Sequence, residues 1–213
     1  MKAFFRHWGL VNRHRYHVWV NGIHCGIGWH CFFHDLSKFH PTEFLTSVRH
    51  YNGMHSPVYE ERLKNDYFSF ICQHHTKRNK HHWEYWTDFF QGHLIAMSMP
   101  WIYATEYVCD MLSASYCYDP KGFTPEKTLN YFLARCDHYY ISSGTKEYIT
   151  WCLTRYRDMG FAGLKKKDTK KAYVEITSRH PRVEIFSALA PVGTLPPRVE
   201  EFIMPKSQRE KES

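Results

Sequence analysis

His34 and Asp35 close the apolar run Cys31-Phe32-Phe33, and Lys38 follows three residues later. An imidazole nitrogen and a carboxylate oxygen are donor atoms that zinc, iron and manganese accept. Neighbours inside a helix point about 100° apart, so this pair can face one centre only where a helix gives way to a loop. Taken alone, such a pair is more often an ordinary helix end with a surface carboxylate. Two further features strengthen the metal reading. Residues 73–86 hold two histidine pairs, His74-His75 and His81-His82, the second followed at once by Trp83, Tyr85 and Trp86. Glu106 and Asp110 stand one turn apart on a largely apolar helix, where a buried carboxylate needs a metal, histidine or arginine partner.

The elements that must position these groups read as helices. The segment up to about Cys25 is expected to be helical, with His17 and His24 two turns apart on one face. Gly26 and Gly28 mark a break before the helix that delivers His34 and Asp35. Pro41, with Thr42 and Glu43 behind it, opens a helix to about His50. Ser56-Pro57 opens another, with Glu60 and Glu61 near its positive end. Its apolar face is expected to run Leu63, Tyr67, Phe70, Ile71 and His74. Met99-Pro100 starts a helix to about Tyr116, Thr124-Pro125-Glu126 the next, and Thr145 one that stops at Gly160. Regular strand alternation is scarce in this part of the chain. Beyond it come the lysine run 165–171, a possible short strand from Ala172 to Ile176, and several prolines. The expected class is therefore all-α, with a helical metal-binding domain over 1–160 and a basic, irregular, partly disordered extension over 161–213.

Composition fits a metal centre. Sixteen histidines and 17% aromatic residues in 213 exceed what a surface needs. The formal charge of +7 favours anionic partners, whether phosphate-bearing small molecules, nucleic acid or a membrane surface. From Gly160 onward eleven lysines and arginines face seven acids, so nucleic acid would be met through the basic tail. Seven cysteines without a C-x-x-C pair fit neither a disulfide framework nor a zinc ribbon, and suggest a reducing, cytoplasmic setting. Charges within Met1–His7 argue against a signal peptide. The uncharged run from Tyr16 to Phe33 contains His17, Asn21, His24, His30 and three glycines, which argues against a membrane span. Trp83, Tyr85 and Trp86 are read as core in preference to a base-stacking platform.

The order H…HD…D on a helical chain resembles the HD-domain superfamily, whose helices gather those residues around a divalent metal. His-Asp-Leu-Ser-Lys-Phe, Asn79-x-His81-His82-x-Glu84-Tyr85-Trp86, and Met99-Pro100 followed by Glu106-x-x-x-Asp110 are similar to an uncharacterised HD-like family of bacteria and their viruses. The resemblance covers roughly His14 to Tyr116. It implies an HD-like bundle in which His17, His34, Asp35 and Asp110 hold one metal, with His14 and His24 as alternatives for the first ligand. It further implies a second metal on His75 and either His81 or His82. The Gly-Tyr-Pro element of the superfamily's phosphodiesterase branch is absent, which argues against cyclic dinucleotides.

The expected activity is a metal-dependent phosphohydrolase using one or two ions of manganese, iron or zinc on a nucleotide or other phosphate ester. Asp35 would bind metal and orient water. Lys38 and Glu106 are the further catalytic candidates, and Lys77, Arg78 and Asn79 the candidate phosphate-binding residues. The rivals are an HD-like di-iron oxygenase and a non-catalytic, metal-stabilised module that holds nucleic acid or a protein partner.

Overall fold

The computed structural model describes residues 2–53, 55–91 and 93–186. It is mostly helical: α1 (Lys2–His24), α2 (Gly28–Phe32), α3 (Pro41–His50), α4 (Pro57–Lys64), α5 (Phe70–Thr76), α6 (Trp101–Tyr118), α7 (Pro125–Cys136), α8 (Ser143–Met159) and α9 (Lys166–Thr177). Two of the starts owe their position to the predicted caps. The hydroxyl of Ser56 accepts from Tyr59 N, that of Thr124 from Lys127 N, and proline follows each at a position that needs no amide donor. His40 caps α3 through its ring, which accepts from Thr42 N.

Helix α6 is the central post, packed against α1, α7, α8 and α9. Its Ala104, Val108, Cys109 and Leu112 meet Val18 of α1, Phe132 of α7, and Tyr148, Ile149 and Leu153 of α8 in one buried core. Helices α3, α4 and α5 form a second group, joined to this core through α1. The metal-type residues lie where the two groups face each other. All seven cysteines are unpaired thiols. Among the described residues no helix is long and apolar enough to cross a membrane.

Four expectations are corrected. The helix begun at Ser56-Pro57 does not run through to His74. It stops at Lys64, and Asp66 and Tyr67 take left-handed conformations at φ 46° and 65° before α5 restarts. Ser69 caps α5 at Cys72 N and gives its own proton to Glu61, whose carboxylate also receives Ile71 N. The proposed stripe is thereby split: Leu63 and Phe70 are exposed, Tyr67 and His74 half-buried, and Ile71 buried.

Three strands were not anticipated. Antiparallel β1 (Thr87–Phe90), β2 (His93–Met97) and β3 (Val183–Phe186) pair in the order β1-β2-β3, with Thr87 opposite Ala96 and Leu94 opposite Phe186. β1 exposes Asp88, Phe89 and Phe90 in succession, so it carries no alternation to read.

Residues 172–176 are helix, not strand. Thr169, Ala172 and Ile176 form the buried stripe of α9, the lysines take its outer face, and Tyr173 donates from its hydroxyl to Met99 O. The boundary at 160/161 therefore fails for 161–186, because α9 and β3 pack on the same body. The remainder of the predicted extension, 187–213, lies outside the described residues. Gly26 lets the chain come close to α9: it sits at φ +72°, and a Cβ there would lie 2.7 Å from Lys166 Cβ.

Candidate metal centre

Helix α2 ends at Phe32, and the chain reaches Asp35 in the left-handed region, φ 54° and ψ 32°, before a tight helical turn over Leu36–Phe39. Few side chains tolerate that conformation, Asp and Asn among them. Arg15 of α1 braces the turn: its Nε donates to His34 O at 2.8 Å and its Nη2 to Phe32 O at 3.1 Å, using carbonyls that α2 leaves open at its end. His34 and Asp35 are thus turned into the interior side by side, each 2% exposed.

Ring nitrogens and carboxylate oxygens converge around Asp35. One oxygen, Oδ1, lies 3.3 Å from His75 Nε2 and 3.5 Å from His81 Nε2. The other, Oδ2, lies 3.1 Å from His34 Nε2, 3.9 Å from His14 Nε2 and 2.6 Å from Lys38 Nζ. Asp110 Oδ1 lies 2.9 Å from His14 Nε2 and 3.6 Å from His34 Nε2. His82 packs its ring against His75 and His81, with centroids 4.7 and 4.3 Å apart. Some of these approaches are attractive pairs, with His14 hydrogen-bonded to Asp110 and Lys38 ion-paired with Asp35. Neither oxygen of Asp35, nor Nε2 of His81, nor Nε2 of His82 has a hydrogen-bond partner of acceptable geometry. Buried polar atoms normally find one, and lone pairs aimed at a common point in place of one another are what a cation requires.

Two sets of atoms are tight enough to hold an ion: Asp35, His75, His81 and His82, and His14, His34 and Asp110. Asp35 lies between them. A third set, His34, His81 and Glu106, has a different explanation. Glu106 Oε1 accepts from His34 Nδ1 at 2.9 Å and faces His81 Nδ1 at 3.4 Å, while Oε2 accepts from His30 Nε2 at 2.7 Å. Glu43 plays the same part for His75, whose Nδ1 lies 3.0 Å from its Oε1, and Ser37 Oγ donates to that oxygen at 2.9 Å. Carboxylates behind the rings fix their orientation and leave Nε2 facing inward, the arrangement that supports imidazole as a metal ligand.

Charge balance points the same way. Three buried carboxylates, Asp35, Glu43 and Glu106, and the half-buried Asp110 share the cluster, where Asp35 and Asp110 act on the ammonium of Lys38 and Asp35, at longer range, on the guanidinium of Arg15. Burial alone would push the Asp35 carboxyl up, but the charges of His34, Lys38 and His75 outweigh it and hold Asp35 well below the usual range. Burial likewise opposes ionisation of Asp110 and Glu106, and hydrogen bonds from His14 and His34 to the first, and from His30, His34 and His81 to the second, reverse it. Burial pushes His14 and His82 down, toward the neutral ligand form. His34 goes the other way: burial would lower it, but Asp35, Asp110 and Glu106 raise it well above the usual value. The same carboxylate field would act on a divalent cation held there.

Of the residues singled out from sequence, His34, Asp35, His75, His82 and Asp110 come together here. His17 does not. It faces away from the cluster, against the ring of Tyr116 at 4.7 Å, and His14, one turn earlier, stands in the cluster instead. Glu106 lies behind the rings as their acceptor, not at the point of convergence, which argues for positioning and against the catalytic role expected of it. Lys38 is beside Asp35. Asn79 turns inward, donating from Nδ2 to Ser37 Oγ at 2.8 Å with His75 Nδ1 3.1 Å away, so it braces His75 and is not free for a substrate. Arg78 lines an open cleft of about 530 Å³ on the His81 and Glu106 side, and Lys77 is exposed outside both cavities of the centre. Trp83 stacks on Tyr139 at 5.2 Å and packs on the core, as expected. His14, His30, Glu43 and His81 are the members that the sequence left open or did not reveal.

A mostly helical body with a buried histidine and carboxylate cluster able to hold a metal ion is the class that fold and site define. The chain belongs to the family of unknown function DUF5662, which matches residues 4–154. That match takes in every residue of the cluster. No curated protein and no solved structure matches the chain.

Proposed function

We propose that the protein is a metal-dependent phosphohydrolase with a dinuclear centre of the HD type. The observation that carries the reading is the convergence of imidazole Nε2 atoms on Asp35, those of His81 and His82 without a hydrogen-bond partner, with Glu43 and Glu106 holding the rings from behind. His14, His34 and Asp110 would hold one ion, His75, His81 and His82 the other, and Asp35 would serve both. Mixed nitrogen and oxygen donors suit manganese, iron or zinc. Such ions supply an acidified water and offset charge on a phosphoryl oxygen.

The chain's own groups do the rest. Lys38, held beside Asp35 and one-third exposed, presents its ammonium to a phosphate on the cavity side of the cluster. The left-handed turn at Asp35 and the brace from Arg15 fix where the carboxylate points, so the reacting geometry is set before substrate arrives. Burial keeps bulk water from the ring nitrogens.

A second reading, an HD-like oxygenase on two irons, is favoured by the donor count: five imidazoles against two carboxylates at the point of convergence. One experiment separates them. The full chain, loaded in turn with manganese, zinc and ferrous iron, is assayed for phosphate release from aryl phosphates and for oxygen uptake. Phosphate release with any of the three, lost in Asp35→Asn, supports the hydrolase; iron-dependent oxygen uptake without phosphate release replaces it.

A further inference from the structure

The cluster opens on a chamber of about 290 Å³, near the lower end of the roughly 300–1,000 Å³ typical of small-molecule sites. His14, His75, His82 and Asp110 form one side of it, with Lys38 among them. The lining is also apolar, with Leu10 and Val11 from α1, Pro57 and Val58 from α4, Ile71 from α5, and Ala114 from α6.

Its charges are the informative part. Among the described residues Lys38 is the one lysine or arginine in the lining, while Glu43 and Glu84 add carboxylates. His7, also in the lining, is pushed by burial down to about 4 and stays neutral. Arg78 and Lys80, which a polyphosphate would want, lie in the other cleft. Each phosphate beyond the first would bring negative charge to a wall with no cation to meet it, at a large desolvation cost.

We infer that this chamber takes a phosphomonoester with a single phosphate and a compact apolar alcohol group, the phosphate at Lys38 and the cluster and the apolar group against Val11, Val58 and Ile71. The inference rests on the hydrolase reading and names its substrate class. In the reaction, water's oxygen bonds to phosphorus, the bond from phosphorus to the ester oxygen breaks, and the proton from water ends on the departing alcohol. The products are inorganic phosphate and the alcohol.

The test uses the manganese-loaded full chain and two phosphonates that cannot be hydrolysed. Phenylphosphonate should bind about tenfold or more tighter than methylphosphonate in calorimetry, because the ring buries apolar area that the methyl does not. Val58 is only partly buried, so Val58→Asn should fold normally. It should weaken phenylphosphonate several-fold and leave methylphosphonate within about twofold. Phenyl phosphate should be hydrolysed with a higher kcat/KM than ATP. Equal affinity for the two phosphonates, or a preference for ATP, overturns the inference while leaving a hydrolase standing. Selective phenylphosphonate binding without hydrolysis of any ester supports the chamber's ligand class and removes the hydrolase reading instead.

Discussion

Replacing Glu106 by glutamine separates a residue that holds the rings from one that holds the metal. Glu106 accepts from His34 Nδ1 at 2.9 Å and His30 Nε2 at 2.7 Å, and lies 3.4 Å from His81 Nδ1. An amide of the same shape keeps one acceptor oxygen and turns the other into a donor facing an N–H. One of these ring contacts must then break, and the charge that strengthens the others is gone. Hydrogen bonds to charged groups contribute about 1.5–3 kcal/mol each, and carboxylates placed behind metal-binding histidines typically govern 10–100-fold in affinity. The expected result is a metal dissociation constant raised about 10–100-fold, with the number of ions bound at saturation unchanged. Competition against a metallochromic chelator gives the affinity, and elemental analysis at excess metal gives the stoichiometry. Asp110→Asn, by contrast, should lose an ion outright. Loss of an ion in Glu106→Gln as well would make Glu106 a ligand, and affinity within twofold of the parent would refute the positioning argument.

Metal uptake should release a proton, because His34 holds one in a field of three carboxylates until a cation replaces it. Below the raised pKa of His34, affinity should therefore rise by about tenfold per pH unit, as titration calorimetry in buffers of different ionisation enthalpy will register. His7, lowered from 6.5 to about 4 by burial and by Lys38, binds fewer protons folded than unfolded within that window. Its contribution is thus present above pH 6.5 and lost as pH falls toward 4. His7→Phe should remove about 1 kcal/mol of this acid sensitivity after allowance for solvent screening, measured as urea unfolding at pH 7.5 and pH 5. Arg15→Met leaves the carbonyls of Phe32 and His34 without their donor and should cost about 2–3 kcal/mol of stability in the same assay. Phe132→Ala, in the core at 0% exposure, should cost about 3–5 kcal/mol and leave metal content per folded molecule unchanged.

The legible parts of this chain are those that local chemistry dictates. Ser56-Pro57 and Thr124-Pro125 announce helix starts, and His34-Asp35 announces a helix end because only there can adjacent side chains share a target. Choosing His14 over His17 needed one more step: Val11, His14 and Val18 fall at the spacing of one buried stripe, and His17 lies off it. The buried stripe of α9 is equally regular, at Thr169, Ala172 and Ile176, but the four lysines on its outer face masked it. Glu43 is a different case. In sequence it is a carboxylate in the first turn of a helix, a common and sufficient role, and nothing local says that His75 will be brought 3.0 Å away by the packing of α5 on α3. The strands were illegible because β1 is exposed along most of its length and β3 pairs with β2 from far along the chain, Val183 opposite Met97 across 86 residues.

The central claim is that the cluster around Asp35 holds two metal ions. Elemental analysis of the purified full chain tests it most directly, on the parent, Asp35→Ala and His75→Ala side by side. About two transition-metal equivalents in the parent, falling to about one or fewer in both variants, is the predicted result. No bound metal in the parent, even after reconstitution with manganese, iron or zinc, would contradict it.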